Sequence, residues 1–127
     1  MPDRGQIEKI YDRYAELVTQ GDVDAIVALY TEDATIEDPI GTEIHRGRDA
    51  IRAFYAAVAG TTTMKRAGAA RAAANESATP LVALMGPEGQ QQALDIISVM
   101  TFDDDGRIRS MRAFWSMDAM RPATDDD

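Results

Sequence analysis

Apolar residues recur at helical spacing from Ile7 to Val18, with Ile7, Ile10, Tyr11, Tyr14, Leu17 and Val18 on one face and Gly21 as a stop. Asp22 suits the N-cap of a short second helix that carries Val23, Ile26, Val27 and Tyr30 on one side. A third stripe, Ile51, Phe54, Tyr55 and Val58, predicts a helix from about Arg48 to Ala59, closed by Gly60. Between the second and third helices the period falls to two. Ala34, Ile36 and Asp38 alternate with Thr35 and Glu37 until Pro39 and Gly41 break the run, which predicts a short strand with the Asp38 carboxylate on its apolar side.

Beyond Gly60 the pattern is that of strands: Leu81 to Met85, Ala93 to Phe102 and Ile108 to Trp115, separated by turns at Gly86-Pro87-Glu88-Gly89 and Asp103-Asp104-Asp105-Gly106. Residues 62 to 78 are read as one long, twisted strand, because three threonines open the segment and its neighbours are strands. A hairpin at Gly106 pairs even residues of its first strand with odd residues of its second. One face then carries Leu94, Ile96, Ser98, Met100, Phe102, Met111, Ala113 and Trp115, apolar except for Ser98. The other mixes Asp95, Ile97, Val99, Arg112 and Phe114 and suits a partly polar surface or a subunit contact better than a deep pocket. This order of elements predicts an α+β roll, with three N-terminal helices on one side of a curved, mostly antiparallel sheet and a conical apolar interior able to hold a ligand.

With 127 residues, one domain is expected over residues 1–121, followed by a short acidic tail at 122–127. The formal net charge of -9 repels phosphate backbones and anionic lipid, so neither nucleic acid nor membrane is an expected partner. Absence of cysteine excludes disulfides and thiolate chemistry and fits a cytoplasmic address. The first residues lack a signal-peptide core, and no stretch reaches the ~18 apolar residues of a membrane span. The single histidine, His45, is expected in a loop without the companions a transition metal needs, and no metal or other cofactor is expected. Phosphate loops, dinucleotide fingerprints and the nucleophile elbow are missing as well.

What remains is a set of polar groups on apolar faces: Tyr14, Tyr30, Tyr55, Asp38 and Ser98. Each needs a hydrogen-bond partner, because a buried polar group left unsatisfied costs about 1–3 kcal/mol. Such partners are one another, water or a ligand. Core tyrosines with hydroxyls reaching the surface, and an aspartate serving only the turn before Pro39, are the plain alternatives.

These residues lie in segments that resemble the Δ5-3-ketosteroid isomerases of the nuclear-transport-factor-2-like (SnoaL-like) superfamily. The likeness is carried by Arg-Tyr-Ala-Glu-Leu-Val at Tyr14, the run from Gly21 to Tyr30, Glu-Asp-Pro-Ile-Gly at Asp38, the run from His45 to Tyr55, and Ala93 to Ser116, with only residues 61–90 matching poorly. The resemblance implies a cone-shaped, cystatin-like roll and a cofactor-free isomerase that moves a proton from C4 to C6 of a 3-oxo-Δ5-steroid. It implies Asp38 as general base, Tyr14 as hydrogen-bond donor to the oxyanion, and Tyr30 and Tyr55 as supporting phenols. Phe54, Met100, Met111, Ala113 and Trp115 are the implied substrate-binding residues, and a homodimer is the implied assembly. Ser98 stands where better-known members carry an aspartic acid in the oxyanion hole, which implies a weaker second donor. A lyase or cyclase acting on another planar carbonyl compound, and a non-catalytic binding module, remain open readings of the same fold.

Overall fold

The computed structural model describes residues 2–127. Helix α1 spans Arg4–Gln20 and opens with a capping box, in which the Gln6 N–H donates to Asp3 Oδ1 and the Asp3 N–H donates to Gln6 Oε1, both at 2.8 Å. It closes at Gly21, whose φ of 76° allows its N–H to return to Leu17 and Val18. Helix α2 is Val23–Val27, strand β1 Tyr30–Glu37, strand β2 His45–Arg46 and helix α3 Arg48–Val58. The remaining strands are β3 (Thr63–Arg66), β4 (Arg71–Ala73), β5 (Glu76–Met85), β6 (Gln92–Phe102), β7 (Ile108–Phe114) and β8 (Arg121–Pro122), with a 3-10 turn at Met117–Ala119.

The three helices pack on a mixed, unclosed sheet of order β2-β1-β7-β6-β5-β3, in which β4 also pairs with β5 and β8 with β6. Strand β1 runs parallel to β7, and the other pairings are antiparallel. Parity across the Gly106 hairpin is as expected: Ser98 faces Ala113 and Met100 faces Met111, until a bulge near Phe102 shifts the register by one. Even residues of β6 and their β5 partners Ser77, Thr79, Leu81 and Ala83 therefore share the concave side.

Several elements differ from expectation. Helix α2 stops at Val27, and Tyr30 opens β1 instead of ending the helix, because Ile108 N–H donates to Leu29 O and starts the pairing with β7 there. His45 sits in β2, stacked against Phe54 with ring centroids 5.0 Å apart, and not in a loop. Residues 62–78 are not one strand. β3, β4 and the first residues of β5 share this segment, since the chain folds back at Ala74, which adopts a φ of 52°, and β4 and β5 then form their own hairpin. The acidic tail is docked: Ala123 N–H donates to Gln91 O, and the Arg121 guanidinium pairs with both Asp95 and Asp127. Among the described residues no helix is long and apolar enough to cross a membrane.

Candidate active site

A cavity of about 370 Å³ opens between α1, α3 and the concave sheet, a volume in the usual range for small-ligand pockets. Tyr14, Asp38, Phe54, Tyr55 and Trp115 all line it. Its remaining wall is apolar apart from Thr61 and Thr62: Val18, Val58 and Pro39, the methionines Met64, Met85, Met117 and Met120, and the sheet residues Ala83, Leu94 and Ile96.

Helical spacing puts Tyr11, Tyr14 and Val18 on one face of α1, and their depth then follows from the direction of the helix. The Tyr11 hydroxyl donates to the Ser98 carbonyl at 2.9 Å, so the N-terminal half of α1 seals the narrow end of the cone. Tyr14, one turn later, reaches the pocket floor. Its hydroxyl lies 2.9 Å from that of Tyr55, which lies 2.6 Å from that of Tyr30. Each phenol has one proton. Either hydroxyl of each pair can donate, and the orientation that runs from Tyr30 through Tyr55 to Tyr14 is the one that leaves the Tyr14 proton for a ligand. Burial raises all three phenol pKa values well above the ordinary range, so the phenols keep their protons at neutral pH.

Asp38 follows β1 at the cis Asp38–Pro39 bond, on the side set by Ala34 and Ile36. The Trp115 indole N–H donates to Asp38 Oδ1 at 2.6 Å. Burial raises the Asp38 pKa, and the Trp115 hydrogen bond and the nearby His45 oppose that rise. The result is a half-buried carboxylate held in the same apolar cavity as a phenol that can donate. That pairing suits proton abstraction beside a carbonyl whose oxygen gains negative charge. No group of three or more His, Cys, Asp or Glu side chains suited to a metal occurs among the described residues.

Ser98, Met100, Met111 and Ala113 do not line the cavity. They occupy the correct face of the sheet, yet at its narrow end, where Tyr11 and the other core side chains cover them and leave each at most 3% exposed. The Ser98 hydroxyl has no hydrogen-bond partner among the described residues, and neither does that of its cross-strand neighbour Thr79. Conversely, the rim residues Thr61, Thr62, Met64, Met85, Met117 and Met120 were not expected at the site. Met85 was accessible through strand parity, whereas the others follow from the β3 hairpin geometry and from the turn after Trp115, which carry no periodic signal.

The SnoaL-like domain family matches residues 11–111. The steroid Delta-isomerase of Nocardioides simplex is 43% identical over 111 residues, which cover 87% of this chain and 90% of that protein. The epoxide hydrolase LasB of Streptomyces lasalocidi is 29% identical, over 90% of this chain but only 49% of its own length. The solved structure of SalBIII, an epoxide hydrolase/cyclase-like enzyme with a role in pyran ring formation in the polyether salinomycin, superposes with a TM-score of 0.84 at 33% identity, covering 97% of this chain and 100% of that one. On the extent of these matches, the helix-on-sheet cone described above belongs to the SnoaL-like domain family.

Proposed function

We propose that this protein is a steroid Delta-isomerase that converts 3-oxo-Δ5-steroids into their conjugated Δ4 isomers. The observation that carries the reading is the placement of the Trp115-anchored Asp38 carboxylate and the Tyr14 hydroxyl in one apolar cavity, and the 43% identical isomerase supports it. In this scheme Asp38 takes the proton from C4, and the electrons of that C–H bond move through C3 to the 3-oxygen, forming a dienolate. Tyr14 donates to that oxygen, with Tyr55 and Tyr30 aligned behind it. The proton held by Asp38 then goes to C6 as the carbonyl reforms, so the step is balanced without a redox partner or cofactor. A single preorganised donor at an oxyanion contributes about 3–4 kcal/mol to barrier lowering in measured cases.

Ser98 has no direct part in this proposal, since it lies outside the cavity lining; the oxyanion then depends on Tyr14. Ile97 and Phe114, exposed on the convex face beside Arg112, support a homodimer formed through the sheet. The lack of cysteine supports a cytoplasmic setting. The likeness to SalBIII favours one second reading, in which the same carboxylate and phenol act on an epoxide or cyclise a polyether precursor.

The deciding experiment is turnover of 5-androstene-3,17-dione, followed by conjugated-enone absorbance, with Asp38→Asn as control. Acceleration by the wild type and its loss in the variant are expected. No turnover by the wild type, with the steroid product still bound, overturns the isomerase reading.

A further inference from the structure

The cavity has a direction. Its floor is buried, with Tyr14 and Tyr55 at 3% and 1% exposure, whereas Val58 and Met117 at the mouth are 38% and 67% exposed. Almost every polar side chain that lines it is already engaged. Trp115 donates to Asp38, Tyr55 bridges Tyr14 and Tyr30, and the Thr61 hydroxyl donates to Val58 O at 2.6 Å. Tyr14 and Asp38 serve the reacting end. Thr62 is left, half-buried at the mouth, its hydroxyl making no hydrogen bond to the described residues.

The segment carrying Thr62 is fixed on both sides. Before it, Gly60 N–H donates to Val18 O at 2.9 Å. After it, Met64 N–H donates to Thr19 Oγ1 at 2.9 Å, while the Thr19 hydroxyl donates to Ala15 O. The Gly60 backbone packs so closely on Gly21 that a Cβ there would stand 3.3 Å from Gly60 Cα. A donor held on such a segment loses little freedom when a ligand arrives. The cavity it lines also carries Met64, Met117 and Met120 and has few polar groups to compete for a ligand oxygen.

We propose that Thr62 is a second polar subsite at the mouth, which hydrogen-bonds an oxygen at the end of the ligand remote from the reacting carbonyl. The preferred ligands then carry oxygen at both ends of an apolar ring skeleton. The steroid form of this proposal rests on the isomerase reading, with the 17-oxygen as the remote group.

Binding and turnover separate the two ideas. Trp115 is the only tryptophan and lines the cavity, so its fluorescence reports occupancy whether or not chemistry follows. Affinities of 4-androstene-3,17-dione and 4-androsten-3-one, which lacks the 17-oxygen, are measured for wild type, Thr62→Val and Thr62→Ser. Thr62→Val is expected to lower the ratio of dione to monoketone affinity roughly 2- to 13-fold, the range for one hydrogen bond, and Thr62→Ser to restore it. A ratio unchanged in Thr62→Val, including an equal loss for both ligands, overturns the subsite. Failure of the wild type to bind either steroid overturns it too. Binding with the expected ratio, but without turnover of the Δ5 isomers, sinks the isomerase reading and leaves the subsite standing.

Discussion

Replacing Trp115 by phenylalanine removes the N–H that donates to Asp38 Oδ1 at 2.6 Å and leaves an aromatic ring in the cavity wall. A hydrogen bond to a charged group contributes about 1.5–3 kcal/mol, and partial exposure of both groups places this one near the lower end. One pKa unit corresponds to about 1.4 kcal/mol, so the expected shift in Asp38 is about one unit. The sign is upward. The indole favours the ionised carboxylate against the burial that raises its pKa, and its loss gives burial a freer hand. The acid limb of kcat/KM, measured from about pH 4 to pH 9, therefore moves about one unit to higher pH. Below the limb the variant is about tenfold slower than wild type, and well above it the two converge apart from any loss of positioning. A limb that stays in place or moves to lower pH refutes this account of the indole. A change confined to KM assigns Trp115 to ligand packing instead.

Asp38→Asn is expected to abolish most turnover and to raise the melting temperature at neutral pH. The folded-state pKa of Asp38 is raised, so its relative stabilising contribution is present below the unfolded pKa and is lost as pH rises through the folded value. The melting-temperature advantage of the variant consequently disappears in acid, and a constant advantage at every pH would falsify that linkage. Tyr14→Phe is expected to lower kcat roughly 10²- to 10³-fold with little change in KM, the pattern for a donor used in the transition state. Tyr30→Phe, two hydroxyls back from the ligand, is expected to cost less than about tenfold in kcat and about 1 kcal/mol in stability; equal losses in the two variants argue against a chain ending at Tyr14. Gly21→Ala meets both a φ of 76° and the Gly60 backbone, and denaturant titration is expected to give a loss of about 1–2 kcal/mol.

The groups of the site were legible to different degrees. Tyr14, Tyr55 and Asp38 were readable because each sits on a periodic apolar stripe that fixes the side on which its polar end is buried. Tyr30 was assigned the correct inward direction on the wrong element, since the residue after a short helix and the first residue of a strand carry the same apolar signal. Parity likewise set Ser98, Met100, Met111 and Ala113 on the concave face. Periodicity reports a side and not a depth along the strand.

Depth is decided by the crossing of α1 over the sheet. Tyr11 closes the end at Ser98, and Tyr14 and Val18 leave the end at Ile96 and Leu94 open. The mouth is likewise a tertiary product. Thr62 and Met64 reach it because Gly60 and Met64 are tied to α1, and Met117 and Met120 because the chain turns after Trp115 and returns along β6 as β8. Local pattern thus determined the helices, most of the strands and the inward polar set, since period and parity are properties of consecutive residues. Which of those inward residues meet a ligand was settled by contacts between segments distant in the chain, whose geometry no local period encodes.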